Sequence, residues 1–229
     1  MKVYKIALAG NPNTGKSTLF NILTGLKQHT GNWPGKTVIH AEGSFEHNGD
    51  QYILVDLPGT YSLFSNSTDE EVARDFIMFG QPDATIVVLD ATSLERNLNL
   101  ALQVLEMTDH VIICINLIDE AEKKGIVVDE KKLAVELGVP VIKISARNKK
   151  GIPALLKTLG QIVSGKIHTT PYRMTYSDVI ENQIKKLETK VIAYFGVKYP
   201  SRWIALRLLD GDEALIRKLY NNLNKSTMR

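Results

Sequence analysis

Residues 10–18 read GNPNTGKST, a short polar stretch bracketed by glycines. The apolar run VYKIALAG at 3–10 precedes it and predicts a buried strand; the following STLFNILTGL has helical spacing and a glycine stop at Gly25. A strand, a glycine-rich loop and a helix in this order match the pattern G-x-x-x-x-G-K-[ST] in full. We therefore predict a loop that holds phosphate through its backbone N–H groups.

The residue types of this loop suit phosphate chemistry. Glycine at 10 and 15 lets the backbone approach a β-phosphate closely and adopt unusual φ angles. Lys16 is expected to reach the β- and γ-phosphates, and the Ser17 hydroxyl to ligate Mg²⁺. The predicted phosphate-binding residues are Gly10, Asn11, Pro12, Asn13, Thr14, Gly15, Lys16, Ser17 and Thr18.

Two further stretches predict that the nucleotide is GTP rather than ATP. NLID at 116–119 follows the apolar run HVIICI, and SAR at 145–147 follows the next predicted strand. The Asp119 carboxylate can accept from guanine N1–H and N2–H₂, a pair of donors that adenine lacks. Open α/β sheets bind ligands at the carboxyl ends of their strands, where both stretches are expected. The predicted base-binding residues are Asn116, Leu117, Asp119, Ser145, Ala146 and Arg147.

The stretch DLPG at 56–59 ends another predicted strand. Asp56 is expected to hold Mg²⁺ through water, and the Gly59 N–H to bond the γ-phosphate that GTP has and GDP lacks. Leu57 and Pro58 complete this nucleotide-binding segment. We therefore expect the following loop to be a switch, with a plain strand-end turn as the alternative.

The first 164 residues alternate between apolar strands and amphipathic helices. A hairpin with the turn Asn48-Gly49 comes early, and the later strands are apolar throughout. This pattern predicts an α/β domain with a mostly parallel six-stranded sheet and one antiparallel edge strand.

The pattern changes after residue 164. Residues 165–175 are polar, with glycine and proline, and predict a linker; residues 176–229 predict a small all-helical domain. Residues 165–229 hold 12 Lys and Arg against 6 Asp and Glu, although the whole chain is only +3. Ordinary solvated helix faces explain this charge, and a basic surface facing a membrane or an acidic partner is the alternative.

Composition excludes several classes of protein. No secretion signal is visible, and no run approaches the roughly 18 apolar residues of a membrane helix, so we expect a soluble chain. The single cysteine, Cys114, lies in an apolar run and suits a reducing compartment. The five histidines show no ligand spacing for iron, and we expect no nucleic-acid partner.

The motifs GNPNTGKSTLFN, GNWPGKTV, DLPGTYSL and VLDATSLERNLNL resemble the cytosolic N-terminal part of the FeoB family of ferrous-iron transporters. The resemblance covers residues 1–164 well and the helical segment weakly. It implies a Ras-like P-loop GTPase at the cytoplasmic face of a bacterial or archaeal cell membrane. It also implies a transmembrane pore in the same full-length protein, through which an oligomer could form.

The resemblance also implies residue roles. Thr37 looks like the switch-one threonine that ligates Mg²⁺ and senses the γ-phosphate, with Gly35 and Lys36 beside it at the nucleotide. In such GTPases the residue matching Asn13 can bind K⁺, and backbone carbonyls around Gly31 and Trp33 would complete the site. A cation there would neutralise transition-state charge as an arginine finger does. Loop capping is the alternative role for Asn13. The implied catalytic residues are Lys16, Thr37, Gly59 and Asn13.

Three positions depart from the family pattern. Leu117 replaces the usual lysine of the guanine motif, and Lys36 replaces a small apolar residue before Thr37. Thr60 stands where Ras-like switches carry a water-orienting glutamine, so we predict slow intrinsic hydrolysis. Glu70 and Glu71 could assist from further away, or form the acidic first turn of a helix capped by Ser67 or Thr68.

These observations predict a GTP-binding, slowly GTP-hydrolysing domain whose nucleotide state gates Fe(II) uptake through a membrane portion. Its ligands would be GTP or GDP, Mg²⁺ and K⁺. A ribosome-assembly or RNA-binding GTPase that shares NPNxGKSTLFN is one alternative. A pure binding module whose hydrolysis is incidental is another.

Overall fold

The computed structural model describes residues 1–25, 28–34, 36–64, 67–212 and 215–221. The chain forms two compact units, Met1–Tyr172 and Arg173–Arg229. Much of the stretch predicted as a linker belongs to the first unit. The N–H of Thr170 donates to the carbonyl of Gly138 at 3.0 Å, and the N–H of Tyr172 donates to that of Leu137 at 2.9 Å.

The first unit alternates strands and helices as expected. Its strands are β1 Val3–Gly10, β2 Gln28–Asn32, β3 Ile39–His47, β4 Asp50–Asp56, β5 Ala84–Asp90, β6 Val111–Asn116 and β7 Val141–Lys143. Its helices are α1 Lys16–Thr24, α2 Thr68–Phe79, α3 Leu94–Met107, α4 Ile118–Lys123, α5 Glu130–Leu137 and α6 Ile152–Val163.

The strands form one sheet in the order β2-β3-β4-β1-β5-β6-β7. The pairs β1–β4, β1–β5, β5–β6 and β6–β7 are parallel, whereas β3 is antiparallel to both β2 and β4. The predicted α/β class and mostly parallel sheet are confirmed. The predicted count of six strands is wrong, because β2 adds a seventh. Its sequence, QHTGN, lacks an apolar pattern, and pairing with the edge of β3 rather than burial holds it extended.

Parallel pairing brings the carboxyl ends of the central strands to one edge of the sheet. β1 ends at Gly10, β4 at Asp56 and β6 at Asn116, each followed by a predicted functional loop. The strands β5 and β6 are buried on both faces, which explains their continuous apolar sequences. Cys114 lies inside this core, and burial raises the pKa of its thiol. The core thus holds the loops at one edge of the sheet in fixed positions.

The hairpin turn between β3 and β4 has the expected chemistry. Asn48 and Gly49 have φ angles of 52° and 83°, which a two-residue type I′ turn requires at both central positions. The turn fixes the register of β4, which places Asp56 at the end of the strand beside β1.

The second unit is helical, as predicted. It contains α7 Asp178–Phe195, α8 Ser201–Leu209 and helical residues at 215–221. The Arg202 guanidinium donates two 2.8 Å hydrogen bonds to Glu181, which lowers the pKa of that carboxyl to about 2. Residues 213–214 and 222–229 of the predicted helical domain lie outside the described residues. Within the described ranges, no helix has both the length and the hydropathy needed to cross a bilayer.

Candidate functional site

A cavity of about 510 Å³ lies at the carboxyl end of β1. Most of the predicted phosphate-binding residues line it, together with one residue of the DLPG stretch. The lining residues are Asn11, Pro12, Asn13, Gly15, Lys16, Ser17, Thr18 and Gly59. The structure therefore brings together the phosphate loop and the glycine predicted to sense the γ-phosphate.

The backbone of this loop depends on its two glycines. Gly15 has a φ of 79°, and a Cβ added there would lie 2.3 Å from Asn116 Nδ2. A Cβ at Gly10 would lie 2.6 Å from the Val88 carbonyl oxygen. Because α1 begins at Lys16, its first turn lines the cavity, where unpaired N–H groups and the helix dipole favour an anion. The loop therefore has the conformation and the N–H donors that binding of a phosphate requires.

Lys16 contacts the residue predicted to hold magnesium. Its buried ammonium donates to the Asp56 carboxylate and, at 2.6 Å, to the Leu57 carbonyl oxygen. Burial raises the pKa of Asp56, and the charge and hydrogen bond of Lys16 act in the opposite direction. Carboxylate and hydroxyl oxygens are ligands that Mg²⁺ prefers, so the donor set of Asp56 and Ser17 fits this ion.

Asn116 joins the two predicted loops. Its side chain is buried, and its Nδ2 donates to the Thr14 carbonyl oxygen at 2.9 Å. Its Oδ1 accepts from the Ala146 N–H, also at 2.9 Å. One amide thus ties the phosphate loop to the SAR loop, although the three residues are far apart in sequence.

Asp119 lies at the start of α4 and accepts from two side chains. Its Oδ2 is 3.0 Å from Asn148 Nδ2, and a hydrogen bond from Ser145 is the largest cause that lowers its pKa. Asp119 is therefore ionised at neutral pH and presents an acceptor-only carboxylate, as guanine recognition requires. The sequence reasoning missed Asn148, and its place directly after SAR was the available signal.

The other predicted base-binding residues have different surroundings. Arg147 is exposed, and Ser145 is buried. Leu117 has a φ of 62°, a left-handed conformation that costs a non-glycine residue about 1 kcal/mol. Its carbonyl accepts from the N–H groups of Glu120 and Ala121 and so starts α4. The backbone at 117 thus sets the direction in which the chain leaves β6, and with it the position of Asp119 in α4.

Thr37 is placed in a second cavity. This cavity has a volume of about 540 Å³ and is lined by Thr37, Val38, Ile39, Pro58, Gly59, Ser67, Thr68 and Asp69. Gly59 lines both cavities, but the structure does not bring Thr37 into the cavity of Ser17. Gly35 lies outside the described residues. The predicted magnesium ligands are therefore only partly gathered in this arrangement.

Lys36 forms an ion pair with Glu71 of α2. Nearby, the Trp33 ring packs edge-on against Phe76 of α2, with 5.5 Å between centroids. Lys36 is thus neither free in solvent nor part of the phosphate cavity. These contacts join the predicted switch-one segment to the helix that follows the predicted switch loop.

The potassium ligands implied by the resemblance are not brought together. Asn13 lines the phosphate cavity, whereas Gly31 is paired with His40 in the edge strand β2. The Trp33 carbonyl accepts from the Lys36 N–H at 2.9 Å. These oxygens suit a potassium ion chemically, but in this arrangement the carbonyls at 31 and 33 do not line the cavity that Asn13 lines.

The residues after DLPG have structural roles. Thr60 is buried, and its N–H donates to the Gly10 carbonyl oxygen at 3.2 Å. Ser67 caps α2 by accepting from the Glu70 N–H at 3.2 Å, which confirms the acidic first turn of this helix. Ser62 donates to the Glu70 carboxylate at 2.7 Å. Glu70 and Glu71 therefore help to anchor α2.

Known families match both units. The family model "Ferrous iron transport protein B" matches residues 4–159, and "FeoB cytosolic helical domain" matches residues 176–228. The Fe(2+) transporter FeoB of Methanocaldococcus jannaschii is 44% identical over 97% of this chain and 34% of its own length. The curated relatives that this chain matches are much longer, and the chain spans about a quarter to a third of them.

Solved structures show the same architecture. The cytosolic domain of the T. maritima FeoB iron transporter in a GDP form is 38% identical, with a TM-score of 0.86. That match covers 97% of this chain and 86% of the other. The GMPPNP form of the same domain gives a TM-score of 0.85 and 38% identity, and covers 96% of this chain and 86% of the other.

Proposed function

Since this chain belongs to the FeoB family of ferrous iron transport proteins, we propose that it binds GTP and GDP and hydrolyses GTP. The observation that carries the proposal is the Asn116 amide, which ties the phosphate loop to the SAR loop, whose Ser145 hydrogen-bonds the ionised Asp119. The GDP and GMPPNP forms of the T. maritima domain, with the same fold, support a guanine nucleotide.

In this proposal each end of the nucleotide meets a complementary group. The loop N–H groups and the first turn of α1 bind the phosphates, and Lys16 neutralises charge at the β- and γ-positions. At the other end, Asp119 accepts from guanine N1–H and N2–H₂. Ser17, Asp56 and Thr37 would hold Mg²⁺, which when bound supplies further charge neutralisation between the phosphates.

Hydrolysis would proceed by attack of water on the γ-phosphorus, opposite the bridging oxygen. A new P–O bond forms as the bond to that oxygen breaks, giving GDP, inorganic phosphate and a proton. Lys16 stabilises the charge that develops on the leaving oxygens. Thr60 is buried and lacks the amide with which a glutamine orients the attacking water. We therefore propose that intrinsic hydrolysis is slow.

We also propose a switch connected to the membrane portion of a longer protein. Gly59 lines both cavities, so a γ-phosphate hydrogen-bonded to the Gly59 N–H would lie beside the cavity that contains Thr37. If the segment around Thr37 moved when GTP bound, the Lys36–Glu71 ion pair would shift α2 with it. Family membership supports a role in Fe(II) uptake at the cytoplasmic face of the cell membrane, and an oligomer would form through the membrane portion.

Nucleotide binding tests the proposal directly. Titration calorimetry with Mg²⁺ should show GDP bound at least about 100-fold more tightly than ADP, because adenine cannot supply the donors that Asp119 needs. Equal affinity for the two nucleotides, or no binding of either, would contradict the proposal. Salt-dependent RNA binding that requires residues 165–229 would instead favour the ribosome-assembly alternative.

Potassium activation is a separate proposal that rests on the family resemblance and on Asn13 in the phosphate cavity. Because neither Gly31 nor Trp33 lines that cavity, their carbonyl oxygens would have to move towards Asn13 before they could contribute ligands. We expect single-turnover GTP hydrolysis to be at least about tenfold faster in KCl than in NaCl.

The matched variants for this experiment are Asn13→Ala and Asn182→Ala. Asn182 is exposed on α7 in the second unit, so its replacement should leave the potassium effect intact. Asn13→Ala should bring the ratio of the rates in KCl and NaCl to about one, whatever its effect on the rate in NaCl. A rate that is the same in both salts for the unmodified chain would refute potassium activation.

A further inference from the structure

Asn148 lies in a closed loop after β7. Backbone hydrogen bonds of 3.1–3.2 Å between Ser145 and Lys150 close the loop in both directions, and the Asn148 N–H donates to the Ser145 carbonyl oxygen at 3.1 Å. The position of the Asn148 side chain is therefore set by the backbone around it.

From this position the side chain makes two contacts. Its Nδ2 donates to Asp119 Oδ2 and to Ser145 Oγ, each at 3.0 Å. The Ser145 contact is local and would suit an ordinary turn. The Asp119 contact crosses from the loop after β7 to the first turn of α4, which follows β6, 29 residues away in sequence. A turn residue does not need this second contact, so it requires another explanation.

The Asn148–Asp119 hydrogen bond can be explained by its effect on the orientation of the Asp119 carboxylate. The terminal torsion of an aspartate is broad, and Asp119 is only partly buried, so the orientation of its carboxylate plane depends on the hydrogen bonds from Ser145 and Asn148. To accept hydrogen bonds from two adjacent N–H groups of a base, both carboxylate oxygens must lie in the plane of that base. An amide donor restrains one oxygen without neutralising the charge. Each carboxylate oxygen can accept two hydrogen bonds, so Oδ1 and Oδ2 can still accept from a base.

We propose that Asn148 is a positioning residue for guanine recognition, holding the Asp119 carboxylate in the plane that accepts from N1–H and N2–H₂. The proposal rests on the proposed function, since it requires that the chain bind guanine nucleotides. It assigns selectivity for the guanine amino group to a residue outside the NLID and SAR stretches.

The experiment compares GDP with inosine diphosphate, whose base keeps N1–H but lacks the amino group. We expect Asn148→Ala to weaken GDP binding about three- to tenfold, which is less than the loss of a direct hydrogen bond to a charged group, because Asn148 is exposed and acts on the base only through Asp119. Binding of inosine diphosphate should weaken less than about twofold, because one hydrogen bond needs less orientation of the carboxylate than two. The preference for GDP should therefore shrink about threefold or more.

Three further variants separate positioning from loop damage. Asn148→Asp has nearly the same shape but faces Asp119 with a like charge, so it should weaken GDP binding more than Asn148→Ala does. Lys150→Ala is the matched control, because the exposed Lys150 joins the loop through its backbone. In an Asp119→Ala background, Asn148→Ala should change GDP affinity by less than about twofold.

The outcomes are distinct. Equal weakening of both nucleotides by Asn148→Ala would show a structural role and overturn the proposal. An unchanged preference for GDP in that variant, with the preference present in the unmodified chain, would overturn it while the proposed function stands. Absence of any preference for GDP over ADP in the unmodified chain would overturn both.

Discussion

Replacing Lys16 with alanine should weaken binding of both GDP and GTP by about 100-fold or more. Each hydrogen bond between a charged group and phosphate contributes about 1.5–3 kcal/mol, and Lys16 is positioned to make two. The lower end of this energy range applies, because Lys16 must give up its hydrogen bonds to Asp56 and to the Leu57 carbonyl before it can reach the phosphates. Titration calorimetry with GDP in the presence of Mg²⁺ measures the effect.

The control for this experiment is Lys157→Ala. Lys157 is exposed on α6, and its replacement by alanine removes the same charge from the chain. Lys16→Ala also leaves Asp56 partly buried without its cation, which destabilises the fold. Thermal unfolding must therefore show a folded variant at the temperature of the titration. A folded Lys16→Ala chain that binds GDP as tightly as Lys157→Ala does would contradict the assignment of the phosphate loop.

Asp119→Asn should change which base is preferred. Guanine offers two donors to the carboxylate, whereas xanthine offers N1–H beside a carbonyl oxygen, which matches the acceptor and donor of an asparagine amide. We expect GDP binding to weaken by at least about 100-fold and xanthosine diphosphate to become the tighter ligand, because mismatched polar groups at such sites are strongly rejected. Competition binding with the two diphosphates gives the ratio directly.

Glu122→Gln is the matched control for Asp119→Asn. It makes the same chemical change on the same helix, α4, at an exposed position. It should leave the preference for GDP unchanged. If Asp119→Asn still prefers GDP to the same degree, the carboxylate does not read the base, and the proposed guanine site is wrong.

The phosphate loop was predictable because its geometry is determined by local sequence. Gly10 and Gly15 sit where a Cβ would meet other atoms within 2.6 Å, so few other sequences can form the same loop. The parallel strands were predictable for a similar reason, since burial on both faces requires continuous apolar runs. Together these two features placed the NLID and SAR stretches at the same edge of the sheet as the phosphate loop.

What could not be predicted depends on contacts between distant residues. β2 is a strand only because β3 offers it an edge, and its own sequence gives no signal. The Asn148–Asp119 hydrogen bond and the Lys36–Glu71 ion pair each join loops whose relative positions are set by the whole fold.

The buried Asn116 side chain has a consequence for how a ligand would assemble in the site. Because one amide holds both Thr14 and Ala146, ordering of either loop also orders the other. Binding of a guanine nucleoside alone would thus order the phosphate loop and raise its affinity for pyrophosphate. Binding of pyrophosphate alone would likewise raise the affinity of the base-binding loop for the nucleoside. The two halves of a split nucleotide would occupy the pocket cooperatively, with no covalent link between them.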